Sequence, residues 1–161
     1  MDYLGGEKER EKTHDRQRGL IRLAIDDDLG FIRELSSEAF SIFGDYGEII
    51  DLWFSNPEAI TVIYVHNGQD SLGFGFLSLV TGEILAIAVA STHQRRGIGS
   101  ALLNYMEFLA TQRGLSMLLL HTAKENKAAQ LFFQKWGFKV IGTQESYYPR
   151  GQTALIMSKG I

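Results

Sequence analysis

Apolar positions along the chain change period several times, and each change marks an element. Leu20 to Ile25 predicts a first strand that stops at Asp26-Asp27-Asp28, where a carboxylate can cap the following helix. Leu29, Ile32, Leu35, Ala39 and Phe40 then recur at helical spacing, and a second helix is expected from Tyr46 to Phe54, before Asn56-Pro57. Ala59 to Val65 is rich in β-branched residues, the turn-forming His66 to Asp70 follows, and Leu72 to Val80 completes a predicted hairpin. After Gly82 the run Ile84 to Ala90 is apolar at every position, as a central strand covered on both faces requires.

Past Gly99 the period becomes 3.6: Ile98, Leu102, Tyr105, Met106 and Leu109 form one helix face, which ends near Arg113-Gly114. Leu115 to His121 predicts another buried strand. Asn126 to Trp136 predicts a helix with Ala129, Phe132, Phe133 and Trp136 facing inward, stopped by Gly137. Two strands near 138–148 and 153–159 close the chain. The order β-α-α-β-β-β-α-β-α-β-β describes an α/β (α+β) fold, a mixed, mostly antiparallel sheet of about seven strands with about four helices.

Composition narrows the function classes. At 161 residues the chain suits one domain, expected over 18–161, with residues 1–17 a charged mobile tail. A net charge of −3 gives no electrostatic case for nucleic-acid binding. The absence of cysteine excludes disulfides, thiolate metal sites and a cysteine nucleophile. His14, His66, His93 and His121 have no metal-ligand spacing, so no metal is expected. No apolar run is long enough to span a bilayer, and the N-terminus has no apolar signal region. A cytoplasmic protein without a membrane partner is the expectation.

The segment Gln94-Arg95-Arg96-Gly97-Ile98-Gly99 lies between the buried strand and the amphipathic helix. A helix N-terminus presents unpaired N–H groups and about half a positive charge. Glycines at 97 and 99 remove the Cβ atoms that would hold a phosphate away, and Arg95 and Arg96 add charge. The combination suits a diphosphate. A plain strand-to-helix turn is the alternative. A Walker A loop is missing its Lys-Ser/Thr, and the dinucleotide fingerprint is missing its third glycine, since Leu102 stands there.

Gln94-Arg95-Arg96-Gly97-Ile98-Gly99, after a strand ending Ile87-Ala88-Val89, resembles the cofactor motif [QR]-x-x-G-x-[GA] of the GNAT superfamily of N-acetyltransferases. Asn126-Lys127-Ala128-Ala129, Phe132-Phe133 and Gly137-Phe138 are similar to the family's N-x-x-A…[LF]-Y…G-F helix. The resemblance covers residues 19–159 and implies a GNAT-like acetyltransferase domain that uses acetyl-CoA as co-substrate. It implies that Ile87, Ala88 and Val89 pair with the pantetheine arm, with the N–H near Ile87 polarising the thioester carbonyl. Gln94 and the stretch Arg95, Arg96, Gly97, Ile98, Gly99 and Ser100 would hold the pyrophosphate. Asn126 would touch the arm, although an N-cap role is equally open.

Glu83 lies eleven residues before Gln94, the position of the general base in the histone-acetylating branch. His121 lies five residues before Asn126, where the ribosomal-protein alanine acetyltransferases carry a glutamate. Either could take a proton directly or through water; the alternatives are a solvated strand end and a core histidine. Phe133 replaces the family's acid tyrosine at the cofactor edge, which leaves Tyr147 and Tyr148 as candidate donors or substrate-site residues. Tyr147-Tyr148…Ala154-Leu155-Ile156-Met157 is similar to the Y-Y-x…D-A-x-x-M tail of protein N-terminal acetyltransferases, with Gln152-Thr153 where an acid is expected.

The expected activity is acetyl transfer to a primary amine, a protein or peptide N-terminus first. A small-molecule amine, a non-catalytic acyl-CoA-binding module and a nucleotide-phosphate enzyme are the alternatives. The aromatic residues around 40–54 could line a substrate groove or a dimer contact, so monomer and homodimer both remain open.

Overall fold

The computed structural model describes residues 19–161; the charged segment 1–17 lies outside them. Seven strands form one sheet: β1 (Gly19–Leu23), β2 (Ala59–His66), β3 (Asp70–Ser78), β4 (Glu83–Val89), β5 (Met117–Ala123), β6 (Lys139–Gln144) and β7 (Ala154–Gly160). Their spatial order is β1-β2-β3-β4-β5-β7-β6. Every neighbouring pair is antiparallel except β4–β5, which is parallel. The helices are α1 (Leu29–Phe40), α2 (Gly47–Ser55), α3 (Ile98–Gln112) and α4 (Lys127–Lys135). The predicted element order and mixed sheet are those observed.

The alternation of side chains along a strand divides the core between two faces. Val62 and Leu77 join Leu102, Leu103, Met106, Phe133 and Phe138 in the layer under α3 and α4. Ile63, Phe74 and Phe76 join Ile32, Leu35 and Ile50 under α1 and α2. A covered sheet of this kind gains about 1.5–3 kcal/mol for each large apolar side chain fully removed from water.

Three local expectations are corrected. The first strand ends at Leu23 rather than Ile25, and Asp28 does not cap α1 with its side chain. Its carboxylate turns back instead, accepting from the Ile25 N–H at 2.8 Å and from both terminal guanidinium nitrogens of Arg22 at 2.7 and 2.9 Å. A bidentate cation outcompetes a helix N–H for a nearly buried carboxylate. Near the C-terminus, β6 pairs only to Gln144, because Ser146 takes a left-handed φ of 51° and swings the chain away from the sheet.

Candidate active site

The parallel β4–β5 ladder is short. Glu83 pairs with Leu119 and Ile84 with Leu120, and the two strands have no further partners in each other. The cause lies on the other side of β4. Against β3, Ala86 opposes Phe76 and Ile84 opposes Leu77, so Leu85 is an extra residue, a β-bulge. Bulges bend the strand that carries them and cluster beside active sites. Beyond this one, β4 and β5 part, and the edge of β4 that faces β5 has no strand partner from Leu85 to Val89.

The gap opens into a cleft of about 820 Å³. Its walls include Ile87, Ala88 and Val89 from β4, Asn126 and Ala129 from the start of α4, and Phe132 and Phe133. At one end lies the loop Gln94–Gly99. Arg95 has φ 62° and Gly97 has φ 83°, both left-handed. Such conformations in a short loop turn successive N–H groups to one side and form an anion-binding concavity. The first intrahelical bond of α3 runs from the Ala101 N–H to the Gly97 carbonyl at 3.0 Å, which leaves the N–H groups of Ile98, Gly99 and Ser100 without helical partners. No atom lies within 4 Å of the place a Cβ on Gly97 would occupy, so the requirement for glycine there comes from its φ. The unpaired strand edge and this loop suit the two parts of acetyl-CoA, an amide-bearing arm and a pyrophosphate.

At the other end the cleft meets a second cavity of about 300 Å³, lined by Tyr46, Ile49, Trp53, Glu83, Ile84, Leu85, His121, Tyr147, Tyr148 and Pro149. Here Glu83, at the first position of β4, meets His121 from β5, with Oε1 3.0 Å from Nδ1. Tyr147 stacks flat on the imidazole, ring centroids 4.2 Å apart and planes within 5°. Burial, and then the Glu83 carboxylate, push the Tyr147 phenol up to about 12. The Tyr148 phenol is also raised, chiefly by burial.

A strap from the β6–β7 connection holds these tyrosines in place. Tyr148 stacks on Phe43 at 4.6 Å, the Arg150 N–H donates to the Phe43 carbonyl at 3.1 Å, and Gln152 Nε2 donates to the Ile42 carbonyl at 2.8 Å. Gly44, at φ 136°, leaves room for Pro149 to pack against it.

The structure therefore brings Glu83, His121 and Tyr147 together in one cavity, and Ile87, Ala88, Val89, Gln94, Arg95, Gly97, Ile98, Gly99, Ser100, Asn126 and Phe133 along the other. Arg96 is not on either wall. Gln94 lines the cleft while its side-chain amide donates to the Val89 carbonyl at 3.3 Å, which closes the end of β4. The Asn126 side chain caps α4, accepting from the Ala129 N–H at 3.1 Å. Phe133 packs edge-on against Phe132 and Phe138.

Sequence reasoning did not single out the bulge at Leu85, nor Tyr46 and Trp53 as walls shared by the two cavities. The aromatic density around 40–54 was the only signal, and it lines a groove. Among the described residues, no group of three His, Asp or Glu side chains could hold a metal ion, and no helix is long and apolar enough to cross a membrane.

The sequence pattern of the Acetyltransferase (GNAT) family matches residues 18–138. The chain is 25% identical to an uncharacterized N-acetyltransferase of Methanocaldococcus jannaschii, over 87% of this chain and 90% of that one. It is 32% identical to N-alpha-acetyltransferase 50 of Danio rerio, over 44% of this chain and 43% of that protein. The crystal structure of the ribosomal-protein-S18-alanine N-acetyltransferase from Escherichia coli superposes with a TM-score of 0.77 and 25% identity, covering 89% of this chain and 94% of that one.

Proposed function

The chain belongs to the GNAT family of acetyltransferases, and from that premise we propose that it acetylates the free α-amine of a peptide or protein N-terminus, with His121 as general base and Glu83 orienting it. The family's chemistry is acetyl-CoA-dependent N-acetylation. The observation that carries the catalytic assignment is the 3.0 Å contact between Glu83 Oε1 and His121 Nδ1 at the junction of the two cavities. An ionised carboxylate only accepts hydrogen bonds, so a neutral imidazole here carries its hydrogen on Nδ1 and keeps the lone pair on Nε2. This is the arrangement in which an imidazole takes a proton from an attacking amine.

Acetyl-CoA supplies an activated acyl carbon to this junction. The unpaired edge of β4 offers backbone partners to its arm, and the 95–100 loop offers N–H groups and the Arg95 charge to its pyrophosphate. A backbone N–H near Ile87 is suited to the carbonyl oxygen on which charge develops.

Phe133 has no proton to give, but a thiol with an ordinary pKa near about 8.5 leaves as a thiolate without an acid. Tyr147, near 12, is a far weaker acid than that thiol and serves as a stacking wall against His121 instead.

Two physical arguments favour an α-amine. At neutral pH roughly a tenth of α-amines are uncharged, against well under about 0.1% of lysine side chains. The acceptor cavity has one carboxylate, Glu83, already engaged by His121, and its other walls are aromatic or apolar. A polycationic small molecule would call for more acidic groups. Two of the similar proteins are named as an N-alpha-acetyltransferase and a ribosomal-protein-S18-alanine N-acetyltransferase, which agrees with this reading.

The test is a panel of acceptors with acetyl-CoA in excess: peptides with free and blocked N-termini beside polyamines and aminoglycosides. Transfer confined to free-N-terminus peptides is expected. Transfer to the small amines alone would overturn the acceptor assignment and leave the acetyltransferase standing.

A further inference from the structure

The cofactor arm accounts for the cleft walls at Ile87, Ala88 and Val89, but the same cleft continues along β4 away from the phosphate loop. Ala39, Phe40, Phe43 and Ala86 line this extension and not the smaller cavity that holds Glu83 and Tyr147. Tyr46, Trp53 and Leu85 line both. None of these side chains is charged.

Two features of the fold shape the extension. The bulge at Leu85 turns two successive residues of β4, Leu85 and Ala86, toward the core layer under α1 and α2. The second of them is an alanine opposite Phe76 of β3, so the strand wall is low at that point. The aromatic wall is stiff. Ring centroids stand 5.6 Å apart from Phe40 to Tyr46, 6.3 Å from Tyr46 to Trp53 and 5.8 Å from Trp53 to Phe76, and Phe76 is fully buried. Phe40, Tyr46 and Trp53 themselves are only half-buried, and rings held in this way form a preorganised apolar surface. From Ile87 to Leu85 the strand advances about 7 Å, the length of several carbon–carbon bonds of about 1.5 Å. An acetyl group has a single carbon beyond its carbonyl.

We infer that the protein also transfers straight-chain acyl groups longer than acetyl, propionyl and butyryl among them, with the tail against Ala86 and the Phe40–Tyr46–Trp53 rings. The inference rests on the cleft holding the acyl-CoA with its arm along β4. The chemistry is that of acetyl transfer. The amine nitrogen bonds to the thioester carbonyl carbon, the C–S bond breaks, CoA leaves as the thiolate, and the proton of the amine passes to His121. Tail and amine have separate space, because the extension opens from the cofactor cleft while Glu83 and Tyr147 line the smaller cavity. Each methylene fully buried tightens binding by about fourfold. A tail ending in a carboxylate, such as succinyl, would meet no cation on these walls and would lose its hydration.

The experiment is a calorimetric titration of acetyl-, propionyl-, butyryl- and succinyl-CoA into the wild type, Ala86→Val and Phe40→Ala, paired with transfer rates to a peptide with a free N-terminus. The wild type should bind butyryl-CoA about threefold to fifteenfold more tightly than acetyl-CoA, and succinyl-CoA no more tightly than acetyl-CoA. Its kcat/KM with butyryl-CoA should lie within about tenfold of that with acetyl-CoA. Ala86→Val fills the low strand wall with a residue that suits a strand, and Phe40→Ala removes an aromatic wall; each should bring the butyryl-to-acetyl binding ratio close to one. A wild-type ratio of one or less, a butyryl kcat/KM more than about tenfold below the acetyl value, or a ratio unchanged in both variants would overturn the inference. So would an unchanged ratio in Ala86→Val with a new preference for the peptide's first residue, which would give the extension to the acceptor. Failure of every acyl-CoA to bind would overturn the cofactor reading itself. The expected binding ratios without transfer to the peptide would overturn the acceptor assignment alone.

Discussion

Glu83 Oε1 and His121 Nδ1 stand 3.0 Å apart although 38 residues separate them in the chain. The last rungs of the parallel ladder put them there: Glu83 pairs with Leu119, Ile84 with Leu120, and His121 is the next residue as the strands part. The dyad is thus fixed by backbone pairing at the point where the cleft opens. With His121 as base, His121→Ala should lower kcat by about 10²- to 10³-fold with little change in the KM for acetyl-CoA. Glu83→Gln keeps a hydrogen-bond partner and should cost less, about tenfold. Steady-state kinetics decides; a larger loss from Glu83→Gln than from His121→Ala would reverse the two roles.

Tyr147 offers a test of acid catalysis. Because its phenol is raised to about 12, Tyr147→Phe should retain kcat within about threefold, since the stack on His121 survives without the hydroxyl. Tyr147→Ala should raise the acceptor KM by removing the wall. A collapse of kcat in Tyr147→Phe would restore a proton-transfer role. The same shift has a sign for stability. The phenol's folded value lies above its unfolded value near about 10, so its contribution is complete below pH about 10 and is lost as pH rises towards 12. Alkaline unfolding monitored by tyrosine absorbance should begin later in Tyr147→Phe.

The phosphate loop depends on its backbone. Gly97 at φ 83° cannot be replaced by an L-residue without strain, and a carboxylate there would also repel phosphate. Acetyl-CoA at about 100 times its dissociation constant should stabilise the wild type by about 2.7 kcal/mol, raising the unfolding midpoint. Gly97→Glu should abolish that rise while the ligand-free protein still unfolds cooperatively. An unchanged rise would place the pyrophosphate elsewhere.

Asp28 anchors the junction between β1 and α1. Its bidentate bond to Arg22 is the main reason its carboxyl lies below the ordinary value. Asp28→Asn should destabilise by about 2 kcal/mol in chemical denaturation near neutral pH, the scale of a charge-assisted hydrogen-bond pair. A depressed folded pKa gives stability that is present above the unfolded value near about 3.9 and lost as pH falls through the folded one. The difference between wild type and Asp28→Asn should therefore narrow in acid, below pH about 4.

Much of this architecture is legible in the sequence, for identifiable reasons. Gly97 is visible because a left-handed turn into a helix leaves few other choices, and the change from period 2 to 3.6 marks that turn. The bulge at Leu85 is not visible, because it is a mismatch of register between β3 and β4, and either strand alone reads as regular. Asp28 reads as a cap for α1 until Arg22 is found beside it.

The acceptor walls are the hardest part to read. Tyr46 and Trp53 follow the spacing of ordinary core aromatics, and only the stack of Phe43 on Tyr148, from opposite ends of the chain, reveals which cavity they close. Asn126 carries a cap and a cleft position at once, so its sequence context fits both roles.

The most direct measurement uses one peptide that carries both a free α-amine and an internal lysine, incubated with the protein and acetyl-CoA. Fragmentation mass spectrometry then locates the added acetyl group. The Glu83–His121 site and its single-carboxylate acceptor cavity lead to acetylation at the α-amine and none at the lysine, lost in His121→Ala. Acetylation at the lysine, or transfer that persists undiminished in His121→Ala, would contradict the account.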